Sequence, residues 1–212
     1  APVLGEVIFG SSDINLRQHQ ADALITSLKG VNDKKNVVVT SGTGSGKTES
    51  FLLPIIARLL DERVGHEHLA INPWWDKNWS SERLWSGVRQ RGGAIKPAIR
   101  AMVLYPTNAL VEDQMSRLRR TAILARDLNG GNPLFYFGRY TGSTMGETKF
   151  PPDILDSYWK KKLKKESKEI QNIQKESRAL SDRDLEIRAQ FPELTCGEML
   201  TRWDMIDAPP DI

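Results

Sequence analysis

Ser41-Gly42-Thr43-Gly44-Ser45-Gly46-Lys47-Thr48, set directly behind the apolar run Val37-Val38-Val39, limits the folds open to this chain more than any other stretch. The β-branched run predicts a buried strand over 36–40, and Phe51-Leu52-Leu53 continue a helix that Thr48 opens. Between the two, Gly42, Gly44 and Gly46 let the backbone curl until successive N–H groups face one anion. The helix N-terminus adds partial positive charge. Lys47 can reach the β- and γ-phosphates of a nucleotide, and the Thr48 hydroxyl can hold Mg²⁺. Ser41 stands where such loops usually begin with Gly or Ala, and it is small enough to fit. Glycine-rich strings are often only flexible loops. The Gly-Lys-Thr ending between strand and helix makes this one a nucleotide-phosphate site built from Ser41, Gly42, Thr43, Gly44, Ser45, Gly46, Lys47 and Thr48.

The rest of the chain alternates. Leu16, Ala21, Leu24, Ile25 and Leu28 are spaced for a helix over 14–28, which Gly30 and the polar residues 32–35 stop. A helix from Thr48 to Arg63 carries Pro54 early enough to be tolerated or kinked. Further strands are predicted over 99–105 and 134–140, separated by a helix over 108–129 that Gly130-Gly131 close. This order predicts an α/β chain, with a mostly parallel sheet and helices on both of its faces. Two stretches interrupt it. Residues 66–97 hold Trp74, Trp75, Trp79 and Trp85 among basic residues and read as an insertion. Residues 153–190 are highly charged, with Leu155, Trp159, Leu163, Ile170 and Ile173 spaced for one or two amphipathic helices.

Composition narrows the class. The chain has 212 residues, 39% hydrophobic and 27% charged, which suits a soluble globular protein with a sizeable core. No apolar stretch approaches the ~20 residues needed to span a bilayer, and Ala1-Pro2-Val3-Leu4 has no signal core. Without an initiator Met, and with Pro209-Pro210-Asp211-Ile212 resembling the entrance to a strand, the sequence reads as a piece of something longer. A single cysteine, Cys196, excludes an intrachain disulfide and suits a reducing cytoplasm. The net charge of +3 is too small to identify a nucleic-acid binder by itself.

Three further constellations carry chemistry. Arg17 and Gln20, three apart on one predicted helical face, precede the phosphate loop; a side-chain amide can read an adenine edge, and Arg17 can stack on the ring or bridge to it. Tyr105-Pro106-Thr107-Asn108-Ala109-Leu110, with Asp113-Gln114, marks the end of the second predicted strand. Arg139-Tyr140-Thr141-Gly142-Ser143 marks the end of the third. Parallel sheets bind ligands beyond the carboxyl ends of their strands, and small hydroxyls and backbone N–H groups there suit a sugar-phosphate chain.

Taken in order, Arg17/Gln20, Ser41 to Thr48, Pro106-Thr107-Asn108-Ala109-Leu110 with Asp113-Gln114, and Thr141-Gly142 resemble the first RecA-like lobe of superfamily 2 helicases. The lettering looks closest to the large helicase-related and DNA-repair helicases of bacteria and to the helicase subunit of the DISARM anti-phage system. The resemblance covers roughly residues 14–145. It implies a RecA-like three-layer sandwich in which residues 1–150 form the N-terminal part of the lobe, around the 66–97 insertion. Residues 151–200 would be a charged helical insertion, and 201–212 a return to the lobe. It also implies ATP and Mg²⁺ as cofactors, with Arg17 and Gln20 on adenine, Ser41 to Thr48 on phosphate, Lys47 and Thr48 as catalytic residues and Thr48 as metal ligand. Pro106, Thr107, Asn108, Arg139, Thr141 and Gly142 would contact DNA, mainly its backbone. The family's Asp-Glu box, which completes the Mg²⁺ site and orients water, is not found after Gly142. These residues are therefore expected to bind ATP without turning it over unaided. A nucleotide-responsive nucleic-acid-binding module without motor activity is the alternative.

Weaker signals have plainer readings. Asp61-Glu62 lie on the helix leaving the phosphate loop and read as a helix end. His66 and His68, with no cysteine near, read as loop histidines rather than zinc ligands. The tryptophans can stack bases in a basic groove, but read better as folded onto the lobe or onto a partner protein. Lys160 to Lys165 can contact phosphate, but Glu166, Glu169 and Glu176 favour a mixed, solvated face. Cys196 reads as a small buried side chain.

Overall fold

The computed structural model describes residues 2–29, 36–40, 42, 44, 46–63 and 70–212. Ser41, Thr43 and Ser45 of the phosphate loop lie outside the described residues, as do the helix stop at 30–35 and both His66 and His68. The chain divides into two compact units, Ala1–Gly65 and His66–Ile212.

The first unit is helical among its described residues. Helix α1 spans Pro2–Phe9, α2 spans Gln18–Lys29 and α3 spans Lys47–Arg63. In α3 the buried residues Leu52, Leu53, Ile56 and Leu59 recur at helical spacing, so one stripe faces inward. α3 packs against both α2 and α1, in which Ala23, Val7 and Ile8 are buried. Arg58 donates from Nη2 to the Ser27 carbonyl at 2.8 Å, tying α3 to α2. Pro54 lies within α3 and denies the Ser50 carbonyl its usual i+4 N–H.

The strand expected at 36–40 does not form: these residues carry no ladder, and Val38 is 83% exposed. Hydrophobic content alone does not make a strand. The backbone needs a neighbour with which to exchange N–H···O bonds, and none is described for this run.

In the second unit, α4 spans Asn108–Leu128, with Met115, Leu118, Ala122, Ile123 and Ala125 on its buried side. Strand β1 is Phe137–Gly138; α5 spans Ser157–Ala179 and α6 Leu185–Arg188. Strand β2 is Glu198–Met199, and α7 is Arg202–Asp207. The two strands run parallel, Phe137 opposite Glu198 and Gly138 opposite Met199, with a parallel bridge from Met145 to Thr201. The expected α/β character with parallel strands is thus present, though the described sheet is small.

The strand expected at 99–105 is also unformed, with Leu104 82% exposed. Backbone bonds are described at its start. Arg100 N and Ala101 N donate to the Asp211 carbonyl, while Asp211 N and Ile212 N donate to that of Tyr136. Gly138 N completes the contact on the Ile212 carbonyl.

The core of this unit is aromatic. Trp74, Trp75 and Trp79 are buried with Trp159, Trp203, Tyr136, Leu163 and Ile170, and Trp85 packs against them. The chain's six tryptophans therefore share one cluster. Trp74 meets Trp75, Trp79 and Trp85 edge-on at centroid distances of 5.9, 6.1 and 5.8 Å. Two of these rings donate to other segments, Trp79 Nε1 to Ser167 Oγ at 2.8 Å and Trp203 Nε1 to the Lys149 carbonyl at 2.9 Å, whereas Nε1 of Trp75 and of Trp85 is buried without an acceptor. Residues 74–79 and the charged helix α5 thus pack on each other. Burial of these rings, worth roughly 1.5–3 kcal/mol for a large apolar side chain, removes them as a base-stacking surface.

Arg119 of α4 and Glu198 of β2 form a buried bidentate pair, at 2.9 and 2.8 Å, with side chains 3% and 1% exposed. Among the described residues, no helix is long and apolar enough to cross a membrane.

Candidate functional site

The phosphate loop is held by side chains from α2 and its entrance. Gln20 is buried and uses both ends of its amide. Oε1 accepts from the Arg17 N–H at 3.0 Å, and Nε2 donates to the Gly46 carbonyl at 3.1 Å. Arg17 lies just before α2 and donates from Nη1 to the Gly44 carbonyl at 3.2 Å. Lys47, the first residue of α3, donates from Nζ to the Gly42 carbonyl at 2.6 Å, bridging the loop from end to end. Gly44 and Gly46 have φ of +72° and +78°, conformations that side chains disfavour. A Cβ on Gly46 would also lie 2.5 Å from Gln20 Nε2. Three of the loop's described positions thus turn their carbonyls towards cationic or amide donors.

These bonds place donors on the carbonyls of Gly42, Gly44 and Gly46 at the mouth of α3. Lys47 is exposed and Thr48 half-buried in its first turn, within reach of the same mouth. A triphosphate with Mg²⁺ fits this donor set: main-chain N–H groups, one ammonium and one hydroxyl. Asp61 and Glu62 fall in the last turn of α3. Among the described residues, no group of three His, Cys, Asp or Glu side chains is spaced to hold a metal.

In the second unit, Pro106 precedes Thr107, the N-cap of α4, whose side chain accepts from Leu110 N at 3.5 Å. Asn108 opens the helix and is exposed. Burial, then the nearby Asp113 charge, push the Tyr105 phenol up from its ordinary value. The other loop is tightly organised. Thr141 N donates to Thr144 Oγ1 at 2.8 Å, which in turn donates to the Arg139 carbonyl at 3.0 Å. Arg139 pairs with Glu112 of α4, joining the two loops' supports. Gly142 is exposed, with open space where a Cβ would be.

Sequence reasoning missed two residues here. Arg202 of α7 donates from Nη2 to the Thr141 and Gly142 carbonyls at 2.9 and 3.3 Å, and its guanidinium lies 5.1 Å from the Tyr140 ring centroid. Thr144 closes the turn. Arg202 has no signature in the sequence, since its contact joins positions some sixty apart, whereas Thr144 lies three and five residues from its partners.

Beneath α7, Asp204 is wholly enclosed. It accepts from Trp74 Nε1 and Val88 N, each at 2.9 Å, and from Thr201 Oγ1 at 2.6 Å. Desolvation dominates and pushes its carboxyl above the usual range. Cys196 is buried, and its thiol is pushed up to about 12, chiefly by desolvation, so it is inert at neutral pH.

Residues 17–136 match the sequence profile described as DEAD/DEAH box helicase, more than half of the chain. The chain belongs to that family. It is also 40% identical over 132 residues to Druantia protein DruE of Escherichia coli (strain UMEA 4076-1). That alignment covers 60% of this chain and 6% of the relative, so the chain spans a small fraction of the length of the protein it matches. No solved structure matches it.

Proposed function

We propose that this chain is the N-terminal part of the ATP-binding motor lobe of a superfamily 2 DNA helicase or translocase acting in the cytoplasm. The observation that carries the reading is the loop support: Arg17, Gln20 and Lys47 each hold a carbonyl of the glycine loop. Such support leaves main-chain N–H groups for polyphosphate. Lys47 neutralises charge on the β- and γ-phosphates, and Thr48 holds the metal, which supplies Lewis-acid polarisation of the γ-phosphoryl group when bound. Arg17 and Gln20 have a second task at the adenine. The Gln20 Nε2 has a second hydrogen beyond the one given to Gly46.

Pro106, Thr107, Asn108, Arg139, Thr141 and Gly142 grip the phosphate chain of DNA without reading bases, so binding weakens with salt. The fold reading extends the parallel strands to a RecA-like three-layer sandwich over 1–150 and 201–212. The 66–97 and 151–200 segments are insertions into it, and either is a candidate contact for a partner protein. The identity with Druantia protein DruE supports placing the parent in anti-phage defence.

The test is ATP hydrolysis by the full-length parent, with and without DNA. The expected result is DNA-stimulated turnover that Lys47→Ala abolishes. Turnover retained in that variant removes Lys47 from the mechanism, and turnover indifferent to DNA removes the motor role.

A further inference from the structure

The charge run on α5 separates into two kinds of lysine. Lys160 and Lys162 are half-buried, and each has a partner: the Ser80 carbonyl for the first and Glu147 for the second. Lys161, Lys164, Lys165, Lys168 and Lys175 are all exposed. At 3.6 residues per turn they fall within an arc of about 100° and form one stripe about 21 Å long. None of the five has a hydrogen bond or ion pair described. Pairs 161/165 and 164/168 at i,i+4, with 161/164 and 165/168 at i,i+3, repel one another and work against the helix. Glu169 and Glu176 border the stripe on one side only.

We infer that this lysine stripe on α5 is a docking surface for the phosphate chain of a nucleic acid, extending the strand grip proposed for the Thr141 loop. Charge complementarity selects the occupant. A polyanion relieves the repulsion along the stripe, and about 21 Å corresponds to about six nucleotides of a stacked strand. The apolar residues of α5 argue against a membrane: Trp159, Leu163 and Ile170 are buried in the aromatic core, leaving no apolar face to enter a bilayer. Position argues for continuity. Glu147, five residues beyond Gly142, accepts from Tyr158 Oη at 3.1 Å and pairs with Lys162, fixing the first turns of α5 beside the Thr141 loop. The lysines give affinity without base specificity.

The inference rests on the nucleic-acid role proposed above but fails separately from it. The experiment is fluorescence anisotropy of the whole chain with a labelled DNA strand of about 20 nucleotides, and with its duplex, across a salt series. The variants are K161Q/K164Q/K168Q, the same three positions changed to Arg, and Thr107→Ala/Thr141→Val. The Gln variant is expected to weaken single-strand binding at least ~10-fold at low salt and to lower the slope of log K against log salt by about 2. The Arg variant retains both. An unchanged slope in the Gln variant overturns the inference, and if the threonine variant alone loses binding the loop reading survives. Loss in the Gln variant with none in the threonine variant keeps the stripe and removes the loops. Equal losses in the Gln and Arg variants, or a wild-type chain that binds no DNA, overturn the inference. So does lysine-dependent co-sedimentation with phosphatidylserine vesicles while DNA binding is unaltered.

Discussion

Gln20 joins the end of the glycine loop to the start of α2 with one side chain, and this double use makes a specific forecast. Loss of the amide removes support from the Gly46 carbonyl, which any polyphosphate feels, and removes the proposed adenine contact, which only ATP feels. Gln20→Ala is therefore expected to weaken both ligands, ATP more than bare triphosphate, by a further ~10-fold if a net hydrogen bond of about 1.4 kcal/mol is lost. Equal losses by calorimetry would confine Gln20 to holding the loop. Asp204 yields a pH test at the same scale. Its folded pKa is raised, so below the ordinary carboxylate value both states are protonated and the fold loses nothing. As pH rises towards the folded value the unfolded chain ionises first and stability falls; above it the full cost of the buried charge is present. Asn at 204 keeps acceptors for Trp74 and Val88 without that charge. The stability of Asp204→Asn relative to wild type, from urea midpoints, should rise with pH across this window. A difference independent of pH would contradict the assignment.

At the scale of elements, the helices were legible, while of the three expected strands only the one over 134–140 coincides with an observed strand, β1. The expected helices over 14–28, 48–63 and 108–129 meet observed α2, α3 and α4 closely, because helical hydrogen bonds and caps are local: Thr107 caps the chain that follows it. Strands depend on partners elsewhere. Val37-Val38-Val39 and Ala101-Met102-Val103-Leu104 have the right residues, yet among the described residues they lack a sustained ladder. The loop network was half legible. Arg17, Gln20 and Lys47 stand in a recognisable order, whereas Arg202 reaches Thr141 from a distance that no local pattern encodes. The joint between α4 and β2 is a further non-local device with a measurable cost. Arg119→Met leaves Glu198 buried without its cation and should destabilise the chain by about 3–5 kcal/mol, while R119M/E198M should recover most of the loss. A single variant that loses under about 1 kcal/mol in urea unfolding would show the pair to be dispensable.

Across the whole molecule, the chemistry is divided. The unit Ala1–Gly65 carries the phosphate loop and its supports, and His66–Ile212 carries the Thr107 and Thr141 loops, the aromatic core and the lysine stripe. Under the proposed function, membership of the DEAD/DEAH box helicase family gives the two units different tasks: one set of residues would hold nucleotide and the other a nucleic-acid strand. Trp74, Trp75 and Trp79 hold α5 in place, so residues 74–79 are part of the architecture of this unit. The central claim concerns the glycine loop, and isothermal titration of the whole chain with ATP and Mg²⁺ tests it most directly. Saturable one-to-one binding, lost by at least ~100-fold in Lys47→Ala with the helical signal in circular dichroism unchanged, is the expected result; an ammonium lost from two phosphate contacts costs about 3 kcal/mol. No binding by the wild-type chain, or equal binding by Lys47→Ala, would contradict it.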